Sequence, residues 1–499
     1  MSADLTRRDL AKMAAAAGVL SSGAKIAEAQ SVADTKSAGA NAPQFPSGFY
    51  WGVATAAYQI EGSPDADGKG KSIWDTYSHT PGKVENGDTG DVANDHYRRY
   101  KEDVALMKDM GAKAYRFSIA WPRIFPNGTG EPNPKGLDFY SRLVDALLAA
   151  GIEPFATLYH WDLPQALQDK YGGWQSRETP KAFGDYSGFV AKNLSDRVKH
   201  FFTINEFHSF VEMGHRGIEL VVQGKPVRIE LAPGLNLEDA ALNQVRHHAV
   251  LAHGLSVQAI RAMGTSDTKV GPAEVMTTAV PVIDAPKHIK AAEAATRDLN
   301  AAYLGVMLEG KYSDAYLKAA GKDAPRFTDE DLKAIASPLD FVGINVYRPI
   351  IYVMASDDGS YRKVPINASH PKMFSSWHLL GPEVLYWAPR LLQSIWNPKE
   401  IYITENGCAA SDEIAADGNV YDSDRVMYLR NGLAQLQRVT AEGVPVKGNF
   451  VWSAMDNFEW SSGYDTRFGL VYVDFKTQKR TPKLSAAWFR EAASRNAVV

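Results

Sequence analysis

A chain of 499 residues with 45% hydrophobic and 22% charged residues has ordinary globular composition, enough to bury a sizeable core and not that of a disordered chain. A net charge of −4 with no long Lys/Arg run argues against a nucleic-acid partner. Cys408 is the only cysteine, which excludes an intramolecular disulfide and a cysteine-rich metal cage.

The chain opens on a segment unlike the rest. Arg7 and Arg8 form a twin arginine before an Ala-rich, mildly apolar run to about Leu20, and Ala27-Glu28-Ala29 offers a small-x-small cleavage site. This predicts a signal over 1–29 read by the twin-arginine export machinery, and a periplasmic or secreted protein. A short surface helix is the alternative, since Ala is the best helix former. The run is too short and too weakly apolar for a stable membrane span. Residues 30–43 are small and polar, as in a flexible leader, which places the folded domain at 44–499.

From there strand-like runs alternate with helical patterns. The runs are 50–57, 114–120, 153–159, 201–205, 270–275, 341–346, 401–404 and 448–453. Between them, 97–110, 137–150 and 424–442 carry apolar residues at three- and four-residue spacing, and Gly111 and Gly151 follow as helix stops. Eight such units predict an α/β fold, a single (β/α)8 TIM barrel with extended loops at the C-terminal face of its strands. Two loops, 214–234 and 348–380, exceed what a barrel needs. The first contains 218–231, which alternates like a hairpin around Gly224-Lys225 and reads either as a plain surface hairpin or as a rim over the site. No feature of the sequence sets the oligomeric state.

Polar and aromatic residues collect where the runs end. Gln59 ends the first, His160, Trp161 and Asp162 the third, Asn205 and Glu206 the fourth, Asn345 and Tyr347 the sixth, Glu405 and Asn406 the seventh, and Trp452 the eighth. A barrel brings such ends to one face, where Glu206 and Glu405 would meet. Two facing carboxylates are the equipment for breaking a glycosidic bond.

Long motifs then carry a resemblance. Residues 49–62 read FYWGVATAAYQIEG, 159–165 YHWDLPQ, 403–407 ITENG and 451–460 VWSAMDNFEW. The chain resembles a glycoside hydrolase family 1 β-glucosidase from about Phe45 to Phe489. The resemblance implies hydrolysis of terminal β-D-glucosyl residues with retention, with Glu405 as nucleophile and Glu206 as general acid/base. It implies substrate binding by Gln59, His160, Trp161, Asn205, Asn345, Tyr347, Trp377, Trp452, Glu459, Trp460 and Phe468, with Trp452 as the floor of the glycone pocket and Trp377 as a platform for the leaving aglycone. The substrate is a small β-glucoside or oligosaccharide, and neither metal nor organic cofactor is called for. A Tyr347 hydroxyl donating to Glu405 would keep it ionised, and a drier setting would keep Glu206 protonated.

Two departures stand out. After the acid the family usually has proline, whereas Phe207 and His208 follow here. Relatives acting on 6-phosphosugars carry a serine and a lysine near the Glu459 position, but here Glu459 precedes Trp460-Ser461-Ser462 with no lysine. Transfer of the glucosyl group to an alcohol, or a non-catalytic sugar-binding barrel, are the other readings; product analysis with an alcohol acceptor and a chromogenic glucoside assay separate them.

Overall fold

In a computed structural model of the protein, which describes residues 43–222 and 225–499, each of the eight runs forms a strand. They are β1 (Tyr50–Ala54), β2 (Ala114–Ser118), β3 (Glu153–Tyr159), β4 (His200–Asn205), β5 (Lys269–Val275), β6 (Val342–Asn345), β7 (Ile401–Asn406) and β8 (Val446–Trp452). Every neighbouring pair is parallel, and the order β1-β8-β7-β6-β5-β4-β3-β2 closes on itself. Strands buried on both faces need the near-continuous apolar runs that the sequence has. A long helix follows each strand in turn: α1 (His96–Asp109), α2 (Pro134–Ala150), α3 (Glu178–Leu194), α4 (Asp239–Met263), α5 (Pro286–Leu299), α6 (Val384–Trp396), α7 (Ser423–Ala441) and α8 (Leu484–Arg495). The twin-arginine segment and most of the leader, residues 1–42, lie outside the described residues.

Local chemistry sets the helix ends. α2 begins three residues before the expected 137, because Asn133 caps the Lys135 N–H and Pro134 occupies the first helical position, a polar start that apolar periodicity does not register. It stops at Gly151, whose φ of +77° suits a residue without Cβ. The segments that open and close the barrel domain are stitched together: the Phe45 N–H donates to the Asn496 carbonyl at 2.8 Å, and the Asn496 amide returns a bond to the Phe45 carbonyl at 2.7 Å.

Aromatic rings fill the barrel beneath the site. Phe155 lies 5.0 Å from Phe450 and 5.6 Å from Tyr402, and Phe341 lies 5.0 Å from Phe202 and 5.2 Å from Tyr402. Rings from different strands interdigitating in this way make a solid floor, so the open end is where a ligand fits.

The structure also revises the end of β7 and the turn of the 218–231 hairpin. β7 runs on through Glu405 and Asn406 instead of ending at Thr404, with its register to β8 breaking between Ile403 and Asn406. Gly407 comes directly after, and a Cβ there would fall 1.9 Å from the Trp452 carbonyl oxygen, so the close approach of β7 to β8 requires glycine. The predicted hairpin forms from Ile218–Val222 and Lys225–Ile229, but Lys225 pairs with Val222 and is a strand residue, not part of the turn. Among the described residues, no helix is long and apolar enough to cross a membrane.

Candidate active site

The strand ends deliver the two carboxylates to the same rim. Glu206 follows β4, its own N–H still bonded to the Ala273 carbonyl of β5 at 2.7 Å, and its φ of +49° then turns the chain sharply. Trp161 (φ +78°) and Trp460 (φ +52°) share this left-handed backbone. Such conformations cost an L-residue on the order of 1–3 kcal/mol and persist where surrounding structure holds them, typically at functional sites.

Between the two glutamates runs a chain of buried polar groups. Arg116, from β2, donates through Nη1 to Glu405 Oε1 at 2.7 Å and through Nη2 to Asn205 Oδ1 at 2.6 Å. Its guanidinium lies 5.2 Å from the centroid of the Phe202 ring, so the cation is seated on the aromatic floor. The Asn345 amide donates to Asn205 at 3.2 Å and to Glu206 Oε1 at 2.8 Å, while its oxygen accepts from Thr404 at 2.6 Å. The amide N–H groups of Asn345 are thus engaged within the protein, where they hold Glu206. The second oxygen of Glu206 accepts from Ser209 at 2.6 Å, and Tyr347 donates to Glu405 Oε2 at 2.7 Å.

These surroundings differentiate two identical side chains. Burial, and then the charge of Glu405, pushes the Glu206 carboxyl up to about 7. Burial also lifts Glu405; the Arg116 charge opposes that lift most strongly, with the expected Tyr347 hydrogen bond acting in the same direction behind it. The pair thus offers one carboxyl able to hold a proton near neutrality and one gripped by a cation.

On the glycone side, two buried polar atoms have no hydrogen-bond partner among the described residues. Gln59 uses its amide N–H groups on Asn457, Phe458 and Glu459, which leaves its Oε1 without a protein partner. His160 Nε2 accepts from Asn205 at 3.1 Å, so its proton sits on Nδ1, which is also unpartnered; burial, followed by the charge of Arg116, keeps the ring neutral. Burial, and then Glu405, pushes Glu459 up to about 8. Rings enclose these groups: His160 is 5.6 Å from Trp452, and Trp161 is 4.7 Å from Trp460. The Trp161 indole N–H is committed to the Asn205 carbonyl at 2.9 Å, so this residue contributes packing and backbone support.

Tyr347 connects this pocket to an outer wall. Phe468 lies 6.3 Å from it, edge to face, and is buried, whereas Trp377, 6.2 Å away on the long loop after β6, keeps 43% of its surface exposed. Trp377 stacks on His378 at 4.9 Å. The 218–229 hairpin is fastened at its base beside the pocket, since the Ser461 hydroxyl donates to the Glu230 carbonyl at 2.9 Å. Cys408 is buried and its thiol is pushed up to about 12, so it is no nucleophile.

Sequence reasoning missed Arg116, Ser209 and Thr404. Only Arg116 carried a signal: a lone cation inside the apolar run Ala-Tyr-Arg-Phe-Ser, in a strand that a barrel buries on both sides.

Taken together, the groups can place a proton and a negative charge on either side of a bond whose sugar rests among indoles, and a barrel so equipped is a glycoside hydrolase. Comparison with known proteins narrows this class: the chain belongs to glycosyl hydrolase family 1, whose model matches residues 41–498. It is 44% identical over 456 residues to a 1,4-beta-D-glucan glucohydrolase of Thermotoga neapolitana, covering 91% of this chain and 99% of the relative. It is likewise 44% identical over 459 residues to beta-glucosidase A of Thermotoga maritima, with the same coverage of 91% and 99%. A solved family 1 β-glucosidase from Thermotoga maritima superposes with a TM-score of 0.80 at 42% identity, over 92% of this chain and 100% of that one.

Proposed function

We propose that the protein is a retaining β-glucosidase that hydrolyses terminal non-reducing β-D-glucosyl residues through a covalent glycosyl-enzyme. Glu405 attacks the anomeric carbon as the glycosidic C–O bond breaks, and Glu206 gives its proton to the departing oxygen. Glu206, now a carboxylate, then takes a proton from water as that water displaces Glu405 from the sugar, so two inversions leave the β configuration in place. Arg116 and Tyr347 hold Glu405 throughout. Gln59, His160, Asn205, Glu459 and Trp460 meet the glucosyl hydroxyls over Trp452, while Trp377 and Phe468 face the leaving group.

The observation that carries this reading is the inequality of the two glutamates: Glu206 is raised to about 7 while Glu405 is bound to Arg116. The names of the relatives supply the glucosyl preference, and one of the similar solved structures holds deoxynojirimycin. Proton NMR of aryl β-glucoside hydrolysis tests the proposal. β-Glucose should appear before mutarotation, and α-glucose as first product would refute retention.

The same reading extends to residues 1–29, proposed as a twin-arginine signal that delivers the folded enzyme to the periplasm or beyond. Replacing Arg7 and Arg8 with lysine should leave activity in the cytoplasm, and unchanged export would count against the signal.

A further inference from the structure

Glu274, on β5, is 1% exposed and belongs to none of the motifs that carry the family resemblance. Its carboxylate grips the backbone on the far side of the acid: Oε2 accepts the Phe207 N–H at 2.6 Å and Oε1 the His208 N–H at 3.1 Å. The Glu206 N–H is already held by the carbonyl of Ala273. Three consecutive N–H groups, from 206 to 208, are therefore fixed by two consecutive residues of β5.

The second and third of these groups belong to the opening turn of the helix that leads into Ser209–Met213, where N–H groups have no partner within the helix. An acceptor with negative charge is favoured at such a place. Phe207, unlike a proline, keeps its N–H, and Glu274 uses it. One residue further on, Ser209 turns its hydroxyl back onto Glu206 Oε2 at 2.6 Å. An ordinary hydrophobic residue at 274 would leave two buried N–H groups unsatisfied and this turn unanchored. The carboxylate is expensive to bury, and burial lifts it well above the usual range while the two N–H bonds oppose the lift.

We propose that Glu274 is a positioning residue for the acid/base: by clamping the N–H groups of Phe207 and His208, it fixes the left-handed turn at Glu206 and, through Ser209, the aim of the Glu206 carboxyl. This rests on the reading of Glu206 as acid/base. Asn345 still holds the other carboxyl oxygen, so loss of the clamp loosens the acid without removing it.

The test uses the full-length protein with Glu274→Gln, an isosteric change, and Glu274→Met, an apolar one of similar length. Each is checked by thermal melting and assayed on 2,4-dinitrophenyl β-glucoside, which needs no proton to depart, and on an alkyl β-glucoside, which does. The value of kcat/KM for the alkyl substrate should fall about 10–100-fold, the range expected for a misplaced acid, with less than about a 3-fold fall for the dinitrophenyl one. Turnover of the dinitrophenyl substrate should also slow, because water lacks its base in the second step, and azide should restore it. An even fall on both substrates, or unchanged kinetics in a folded variant, overturns the proposal, and so does failure of both variants to fold, which would make Glu274 a folding residue. Glu206→Ala, assayed in parallel, keeps the two claims apart: if it too loses both substrates evenly, the acid/base reading fails, whereas a selective loss there beside an even loss at Glu274 removes the positioning role alone.

Discussion

Arg116 and Glu405 are joined across the barrel interior by a hydrogen bond from Nη1 to Oε1 of 2.7 Å, with both side chains buried. The guanidinium is also the strongest influence lowering the Glu405 carboxyl against its burial. It therefore acts on the carboxylate in two ways, fixing where it points and favouring its ionised form, the form the proposed nucleophile needs.

Replacing Arg116 with methionine should expose both effects. Removing one partner of a buried ion pair costs on the order of 3–5 kcal/mol of stability, and a nucleophile no longer held in place should lower kcat/KM by about a hundredfold. The sign of the pH effect is fixed: without the cation the Glu405 carboxyl rises further, its protonation begins at higher pH, and the acid limb of kcat/KM moves upward. A pH profile with dinitrophenyl β-glucoside measures this, and an acid limb left in place would mean that Arg116 does not set the ionisation of Glu405.

On the proposed mechanism the alkaline limb belongs to Glu206. This group must be protonated when the bond breaks, and its carboxyl is pushed up to about 7, chiefly by burial, so kcat/KM for an alkyl glucoside should be full below that pH and fall above it. In Glu206→Ala the residual activity on the same alkyl glucoside should lose that limb. Persistence of the limb in the variant would assign it to another group.

The same two residues show what the sequence reveals and what it conceals. Glu206 and Glu405 stand out because a polar residue at the end of an apolar run is conspicuous, and strand periodicity then carries both to one rim. Arg116 lies within a run, where the pattern averages it away, and its partners Asn205 and Glu405 are 89 and 289 residues distant. Glu274 is hidden in the same manner inside β5, since its partners are backbone N–H groups that every residue except proline possesses. The early start of α2 escaped because Asn133 and Pro134 act through capping and not through apolar spacing. Side-chain commitments are the least legible of all: whether Asn345 faces sugar or protein depends on contacts with Asn205, Glu206 and Thr404 that only the closed barrel creates.

Glu459 should make the enzyme select against 6-phosphoglucosides. Burial and the charge of Glu405 push it up to about 8, and the Trp460-Ser461-Ser462 that follows holds no cation to receive a phosphate. Bringing a dianion to such a place costs roughly 3 kcal/mol or more, so kcat/KM for aryl 6-phospho-β-glucoside should be at least about a hundredfold lower than for the unphosphorylated substrate. Because Glu459 ionises as pH rises through about 8, like-charge repulsion should widen the ratio on the alkaline side. Comparable turnover of the two substrates would contradict this.

The roles of the two glutamates can be separated by the stereochemistry of azide products. On the proposed roles the nucleophile is intact in Glu206→Ala, so dinitrophenyl β-glucoside should still glycosylate Glu405, forming an α-linked glycosyl-enzyme and releasing a phenolate that needs no proton. Water then attacks slowly for want of a base, and the covalent species should accumulate by about one glucosyl mass unit per chain in intact-mass spectra. Azide is already an anion and needs no base; it should displace Glu405 with a second inversion and release β-glucosyl azide, raising turnover toward that of the unaltered enzyme. In Glu405→Ala no glycosyl-enzyme can form, and Arg116 and Tyr347 face a vacated space in which a small anion fits. Azide entering there attacks the substrate once and can give only α-glucosyl azide. General-acid catalysis contributes about 10²–10⁴-fold, so without azide Glu206→Ala should lose that much kcat/KM on alkyl glucosides while Glu405→Ala fails on every leaving group. α-Glucosyl azide from the Glu206 variant, together with the β product from the Glu405 variant, would show that the two carboxylates have exchanged roles.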